Sequence, residues 1–451
     1  MRHLTALLGI CLAAQAQNWP HFRGPMAAGT ADGTNPPMSW DVEKGKNVLW
    51  RTAIPGISVS SPVIWESTVY AVTSISSDSK SEFRAGLYGD TEPAKDTSPH
   101  TWKLYAVDLR SGGIKWQRTI CEGVPKTKRH PKASHSSPSP AVDAKRVIVW
   151  FGSEGLYAYD HSGRQLWKKD LGVIDAGWFF DPDYQWGVAS SPVLWKDRVF
   201  LQADQQKNSF IACFDAASGK ELWRTGRDEI PSWGTPAVLE WDGKAQLVTN
   251  GTKAIRAYDP MTGKLIWSLK GNSEITCPTP VAGGGLIYVA AGYPPIQPIY
   301  AVKWSAAGDI TLQGDATSNE HIAWSLKRGG SYQPTPLLYG GILYVCSNSG
   351  VLSAYDAKTG ERLYQQRVAG KGGAFSASPI AADERIYLAS EDGEVHIVKA
   401  GPKYETLASN PVGEVMMGTP AFAKGMLVIR TMKHLVAVGE PAPGSRPASG
   451  Y

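Results

Sequence analysis

Two histidines, His130 and His135, share a short stretch with Lys128, Arg129 and Lys132. Paired imidazoles suit a divalent metal, but a metal centre needs a third ligand, and no carboxylate or cysteine lies beside this pair. The surrounding cations favour an anion, so the pair is read as hydrogen-bonded histidines and no metal ligands are assigned. Trp178, Trp186 and Trp233 could stack on a planar ligand; the plainer alternative is that they anchor loops and pack between sheets. Asp183, Asp204, Gln205, Glu274, Tyr332, Glu391, Arg430 and Lys433 complete the groups that could meet a ligand. The chain has no G-x-S-x-G, no H-E-x-x-H, no phosphate loop and no pair of carboxylates at a readable spacing, so no residue is assigned a catalytic role.

What gathers these residues is a repeat, most legible over residues 234–270. It reads as four short strands, 235–240, 245–250, 254–258 and 264–269, joined by turns rich in Gly, Asn and Asp. A Ser/Thr-Pro signal opens each unit at Pro62, Pro140, Pro192, Pro236, Pro280, Pro336, Pro379 and Pro420, a period of a little over forty residues. The third and fourth strands carry a second signal, Asp-x-x-Ser/Thr-Gly with an aromatic residue four positions after the Gly. It is read at Asp108, Gly112 and Trp116; at Asp215, Gly219 and Trp223; at Asp259, Gly263 and Trp267; in a shorter form at Asp160, Gly163 and Trp167; and with tyrosine at Asp356, Gly360 and Tyr364. Turn chemistry accounts for the pattern: Asp and Ser/Thr cap backbone N–H groups, Gly takes a positive φ, and the aromatic inserts between sheets. A four-stranded meander cannot cover both of its faces alone. Eight in series predict an all-β, eight-bladed β-propeller of four-stranded antiparallel blades over residues 47–439. In a propeller, the loops entering the innermost strands and those joining second to third strands open on one face around a funnel. All the candidate ligand residues above fall in those loops, as do Met416, Glu154 and Asp392.

The eighth unit has three strands, and residues 47–53 read as an orphan fourth strand. Supplied by the N-terminus, it would close the ring as a clasp. Residues 17–46 form a lead segment with Trp19-Pro20-His21-Phe22-Arg23-Gly24-Pro25, expected to lie across one face through Trp19 and Phe22. Polar insertions at 74–101 and 303–321 are read as excursions from a rim. Residues 1–16 have the charge, short apolar run and small-x-small end of an export signal, which predicts a periplasmic or secreted protein; Cys11 raises the alternative of a lipid anchor. The tail 440–451 is rich in Pro, Gly and Ser and reads as disordered. The remaining cysteines, Cys121, Cys213, Cys277 and Cys346, are too scattered for a zinc motif and read as small apolar fillers. A net charge of +5 spread over 451 residues argues against a nucleic-acid groove, and no run is long enough to span a bilayer as a helix. A monomer is expected.

Ala-x-Asp-x-x-Ser/Thr-Gly-x-x-x-Trp, repeated with Ser/Thr-Pro openings, resembles the tryptophan-docking repeat of the pyrroloquinoline quinone (PQQ)-binding-like, quinoprotein/BamB-like propellers. The Trp19-to-Pro25 motif, His130-Pro131-Lys132 and Ser390-Glu391-Asp392-Gly393 most resemble exported, uncharacterised members from Planctomycetes and Acidobacteria. The quinoprotein alcohol and glucose dehydrogenases that share this fold hold PQQ with a metal ion in the axial funnel, and in alcohol-type members, where the ion is Ca²⁺, an adjacent Cys-Cys disulfide covers one face of the cofactor. This chain has no such cysteine pair and no motif onto which the metal ligands map. The leading expectation is therefore an exported, non-catalytic binding or scaffold propeller that takes a protein partner or small ligand through its funnel face. The alternatives are a PQQ-dependent dehydrogenase and a polysaccharide-binding module.

Overall fold

A computed structural model describes residues 18–440, apart from 80, 82, 87, 88, 90, 369, 371 and 372. The expected export signal, Cys11 and most of the tail lie outside the described residues. Eight antiparallel sheets form a closed ring. Blades 1 to 7 span residues 63–123, 141–169, 193–226, 237–270, 281–326, 337–367 and 380–411. Blade 8 combines Ala421–Ala423, Met426–Arg430 and His434–Gly439 with Val48–Ala53 from the N-terminus, paired antiparallel to His434–Gly439. The ring therefore closes through a strand from the other end of the chain.

The strand pattern follows from what covers each strand. Middle strands such as Val147–Trp150 and Leu156–Tyr159 are buried throughout, because neighbouring blades cover both of their faces, and they are continuous apolar runs. Outer strands face solvent on one side, so Glu221–Gly226 alternates between half-buried and exposed residues.

The Asp-Gly turn and a tryptophan of the preceding blade lock five of the seams, whereas Trp267, expected to dock likewise, donates to Gln246 of its own blade and Tyr364 packs on Tyr404. Asp215 Oδ1 accepts the Ser218 N–H and hydroxyl at 2.8 and 2.6 Å, and Gly219 takes φ +70°. The Trp167 indole of the preceding blade lies on that glycine and donates to the Ala216 carbonyl at 3.0 Å. A Cβ at Gly219 would come within 2.7 Å of the ring. The same arrangement joins Trp116 to Gly163, Trp223 to Gly263 and Trp324 to Gly360. Trp50 of the clasp docks on Gly112, which fixes the seam between blades 8 and 1. Opposite each aromatic at this outer-strand position in the sheet register is a small residue: Ala106, Ala158, Cys213, Ala257, Ala301, Ala354 and, opposite Trp50, Ala437. Cys213 fills an alanine position, and all four described cysteines are free.

At the axis, the Ser or Thr before each opening proline makes a second lock. Its hydroxyl accepts the backbone N–H of its counterpart in the preceding blade, through Ser61, Ser139, Ser191, Thr235, Thr335, Ser378 and Thr419, at 2.9–3.0 Å. The seam between blades 4 and 5 lacks this bond, and Thr279 Oγ1 is buried without a partner among the described residues.

The two insertions depart from simple rim excursions. Gly308–Asp309 adds a fifth strand, parallel to Leu265–Lys270, and covers the outer edge of blade 4. The insertion of blade 1, between Thr68–Ser76 and His100–Asp108, folds over the funnel. On the opposite face the lead segment crosses the ring. Trp19 pairs with Ile64, the Pro20 carbonyl accepts from Val142, and Ala31 and Gly29 pair with Ala381. Arg23, fully buried, donates Nη1 to the Pro336 carbonyl at 2.8 Å. Burial lowers its pKa to about 9. No helix among the described residues is long and apolar enough to cross a membrane.

Candidate functional site

The funnel narrows to an axial cavity of about 210 Å³. Six hydroxyls of the axial ring, those of Ser61, Ser139, Ser191, Thr235, Ser378 and Thr419, line it together with Phe22 from the lead segment. Trp186, Trp233 and Tyr332 form its aromatic wall, the two indoles 5.7 Å apart and inclined at 41°. Each is aimed by its polar end: Trp233 Nε1 donates to the Gly187 carbonyl and Trp186 Nε1 to Thr91 of the overlying insertion, at 2.8 and 3.0 Å. Trp186, 5 % exposed, also packs against His130, so the indoles meet the cavity with only part of their surface.

A polar wall stands beside the indoles. Lys132 and Glu391, both with side chains 3 % exposed, form an ion pair at 2.6 Å. Glu391 also accepts the Ser376 hydroxyl at 2.5 Å and, through its other oxygen, the Gly86 N–H of the insertion at 2.8 Å. Gln333 Oε1 accepts from Lys132 Nζ and Asn348 Nδ2 at 3.2 and 3.0 Å and lies 2.6 Å from Ser376 Oγ, whose one proton goes to Glu391. These bonds fix the amide and leave Nε2 without a protein partner among the described residues. The insertion is held down by Glu391, by the Pro131 and Arg129 carbonyls and by the Trp186 indole.

The ionisable groups here are poised against proton transfer. Burial lowers the His130 pKa to about 4, helped by Lys132, so the ring is neutral at pH 7; its Nδ1 accepts the Lys132 N–H at 3.0 Å. Burial pushes the Cys277 thiol up to about 12, which withholds the thiolate that a nucleophile requires.

Of the residues picked out from sequence, the fold brings His130, Trp186, Trp233, Tyr332 and Glu391 to this cavity. His135 points elsewhere: it packs 4.9 Å from His100 beside Trp102, and burial lowers its pKa to about 3. Asp204 is buried under the rim of blade 3, where it accepts from Arg227, Gln202 and Ser232. Gln205 accepts the Asp175 N–H at 3.1 Å. Arg430 is buried against the His434 and Ile54 carbonyls, its pKa lowered to about 10 by burial. Lys433 is exposed, Glu274 half-buried, and Asp183 exposed on a projecting loop. Trp178 sits on that same loop, stacked edge-on to Phe180, and Phe180 is 67 % exposed.

Gln333, Ser376, Phe22 and the hydroxyl ring were not among the sequence candidates. Only the ring left a signal, the Ser or Thr that recurs before each opening proline. The donor set does not fit a metal-held quinone: no three His, Cys, Asp or Glu side chains converge among the described residues, and Glu391, the carboxylate paired beside the cavity, is already engaged with three donors.

The family model described as outer membrane protein assembly factor BamB matches residues 101–296 and 207–438. Tetrathionate hydrolase from Acidithiobacillus ferrooxidans is 18 % identical over 373 residues, covering 76 % of this chain and 65 % of that protein. The outer membrane protein assembly factor BamB of Moranella endobia is 25 % identical over 255 residues, covering 51 % and 58 %. The chain thus spans somewhat under two thirds of the length of these relatives. Among solved structures, a europium-containing methanol dehydrogenase superposes with a TM-score of 0.60 at 13 % identity, covering 94 % of this chain and 89 % of its own, which is a likeness of fold.

Proposed function

The chain belongs to the family described as outer membrane protein assembly factor BamB, and from that premise we propose that it is an exported, non-catalytic binding propeller that works through its funnel face and loops. The observation that carries this reading is the state of the cavity's ionisable groups. Lys132 and Glu391 neutralise each other, His130 is neutral, and Cys277 is held as the thiol. Among the described residues here, neither a thiolate nor a protonated imidazole is available at pH 7, and no three His, Cys, Asp or Glu side chains converge. What the ring supplies instead is rigidity, since docked tryptophans and axial hydrogen bonds fix the positions from which the loops project.

The surface offered to a partner protein is the rim loop with Trp178, Phe179 and Phe180, an exposed aromatic tip beside Asp181 and Asp183. Cross-linking in the exporting cell, with wild-type protein and with Phe180→Ser, is the test. The expected result is one reproducible protein neighbour that is depleted in the variant. Spectral capture of PQQ with Ca²⁺, followed by reduction of a dye with alcohols or aldoses, would overturn the reading in favour of a dehydrogenase.

A further inference from the structure

The axial cavity is too well built to be only the hole in a ring. Propeller axes need no aromatic wall, and three of the side chains on this one are oriented by bonds made at their far ends: Trp186, Trp233 and Gln333. The two indoles and the amide line the same space. The floor adds six hydroxyls, each of which accepts one backbone N–H or belongs to that ring, and none of which donates to a protein acceptor among the described residues.

Charge, shape and size each narrow what fits. Lys132 is matched by Glu391, so a charged ligand would lose its water without meeting a free counter-charge. Flat ring faces opposite a hydroxyl-and-amide surface suit a ring that is apolar on its C–H face and polar at its edge. A volume of about 210 Å³ is below the roughly 300–1,000 Å³ of sites for drug-sized molecules, which allows a ring or two.

The surroundings say how it would arrive. A second, more open space of about 770 Å³ runs along the rim of blades 5 and 6, and Tyr332 and Gly89 line both spaces. It is walled by Tyr293, 5.3 Å from Tyr332, by Gln297, Asn348, Ser347 and Ser349, and at its exposed side by Arg367, which donates to the Ser349 carbonyl. The groove is thus aromatic and amide-rich like the cavity, and the insertion through Gly86 and Gly89 roofs the junction.

We propose that the cavity and groove together form an end-on site for a neutral oligosaccharide, whose terminal pyranose ring enters the axial cavity against Trp186 and Trp233 while the following rings lie along Tyr332 and Tyr293. This rests on the binding reading above and names the ligand class for the same face. A chain interior could not thread the cavity, because Phe22 and the lead segment close it from the other side.

The test titrates full-length mature protein, by calorimetry and by tryptophan fluorescence, with neutral gluco- and N-acetylglucosamine oligomers of one to six rings and with matching oligomers whose terminal ring is a uronic acid. Neutral chains should bind and change the fluorescence, with affinity rising over the first rings and then levelling. Modification of the terminal ring should abolish binding, and chains whose terminal ring is a uronic acid should bind at least tenfold more weakly, since that ring would enter the cavity where Lys132 is already matched by Glu391. Gln333→Ala and Tyr332→Ala should each weaken binding at least tenfold with an unchanged circular dichroism spectrum. The proposal falls if no neutral chain binds at millimolar concentration, if chains ending in a uronic acid bind equally well, or if both variants bind like wild type. If glycans fail while the protein neighbour is still captured, the ligand class alone is wrong; if PQQ is captured and turned over, the binding reading itself is wrong.

Discussion

Lys132 and Glu391 offer the sharpest test of how the funnel is held together. Both side chains are 3 % exposed and their charges meet at 2.6 Å. Removing one partner of such a pair strands the other charge away from water, at a cost of ~3–5 kcal/mol when nothing else compensates. The two single variants should differ, because their remaining partners differ. In Lys132→Met the carboxylate keeps the Ser376 hydroxyl and the Gly86 N–H, at 2.5 and 2.8 Å. Two retained donors offset part of the loss, and about 2 kcal/mol is expected. In Glu391→Gln the ammonium loses its counter-charge, and about 3 kcal/mol is expected. The double variant has no buried charge left at this point and should cost about 2 kcal/mol or less, which makes the coupling about 3 kcal/mol, the upper end for residues in contact. Urea unfolding at pH 7, followed by tryptophan fluorescence, measures all three. Glu391 also tethers the insertion through Gly86, so Glu391→Gln should speed proteolytic cleavage within residues 77–99 while Lys132→Met leaves it slower. Strict additivity in the double variant, together with an unchanged cleavage rate, would refute the account.

Three further outcomes follow from the ring. Thr279→Val should be neutral or stabilising, since Thr279 Oγ1 is buried without a partner among the described residues, whereas Thr335→Val should cost ~1–3 kcal/mol by orphaning the Thr279 N–H; equal losses in urea melts would contradict the axial lock. Gly219→Ala should cost ~2–5 kcal/mol, from a left-handed backbone at φ +70° and a Cβ 2.7 Å from Trp167. Gly33→Ala, at φ +80° with open space around it, should cost only ~1–2 kcal/mol, so similar midpoints for the two would deny the docking contact. Burial lowers the pKa of His21 and His130 to about 4 and of His135 to about 3. Because these folded values lie below that of the unfolded chain, the unfolded state takes up protons first as the pH falls. Stability present above pH ~6.5 should therefore be lost between pH ~6.5 and ~4, at up to ~1.4 kcal/mol per pH unit for each histidine. Unfolding midpoints that stay flat from pH 7 to 5, or a slope that His130→Gln does not reduce, would contradict it.

The ring was legible because its information is local and repeated. Strands predicted at 245–250, 254–258 and 264–269 lie within a residue of Lys244–Thr249, Ala254–Tyr258 and Leu265–Lys270, and the orphan strand pairs with the last blade as its missing fourth strand. The partner of each docking tryptophan was not legible. That it lies on the next blade's glycine depends on how sheets face each other, which no single repeat encodes. Trp324 escaped notice because its own unit lacks the Asp-Gly turn, yet it docks on Gly360 like the others.

The site was less legible for a related reason. His130 and His135 are neighbours in an irregular loop, where closeness in sequence says nothing about direction, and the fold sends one to the cavity and the other to His100. Asp204 looked available, but its partner Arg227 comes from the loop after the outer strand of the same blade and buries it. Gly86 and Glu391 meet across 305 residues, which only closure of the ring makes possible.

One signal had two uses, and this bears on where specificity resides. The Ser or Thr before each opening proline reads as turn punctuation. In the ring its oxygen accepts the neighbouring blade's N–H, and at six positions the same hydroxyl faces the axial cavity with its proton undonated among the described residues. Serine or threonine is therefore favoured there twice over, for closing the ring and for keeping its floor polar. Valine would match threonine in shape but break the lock, and glycine would leave both tasks undone. A floor fixed by the scaffold cannot discriminate among ligands. Discrimination must come from residues that differ between blades, which places it on Trp186, Trp233, Tyr332 and Gln333 on the wall and on the insertion that roofs them. Substitutions on the wall should change what binds while leaving the axial lock intact, and substitutions in the hydroxyl ring should break the lock while leaving the wall in place.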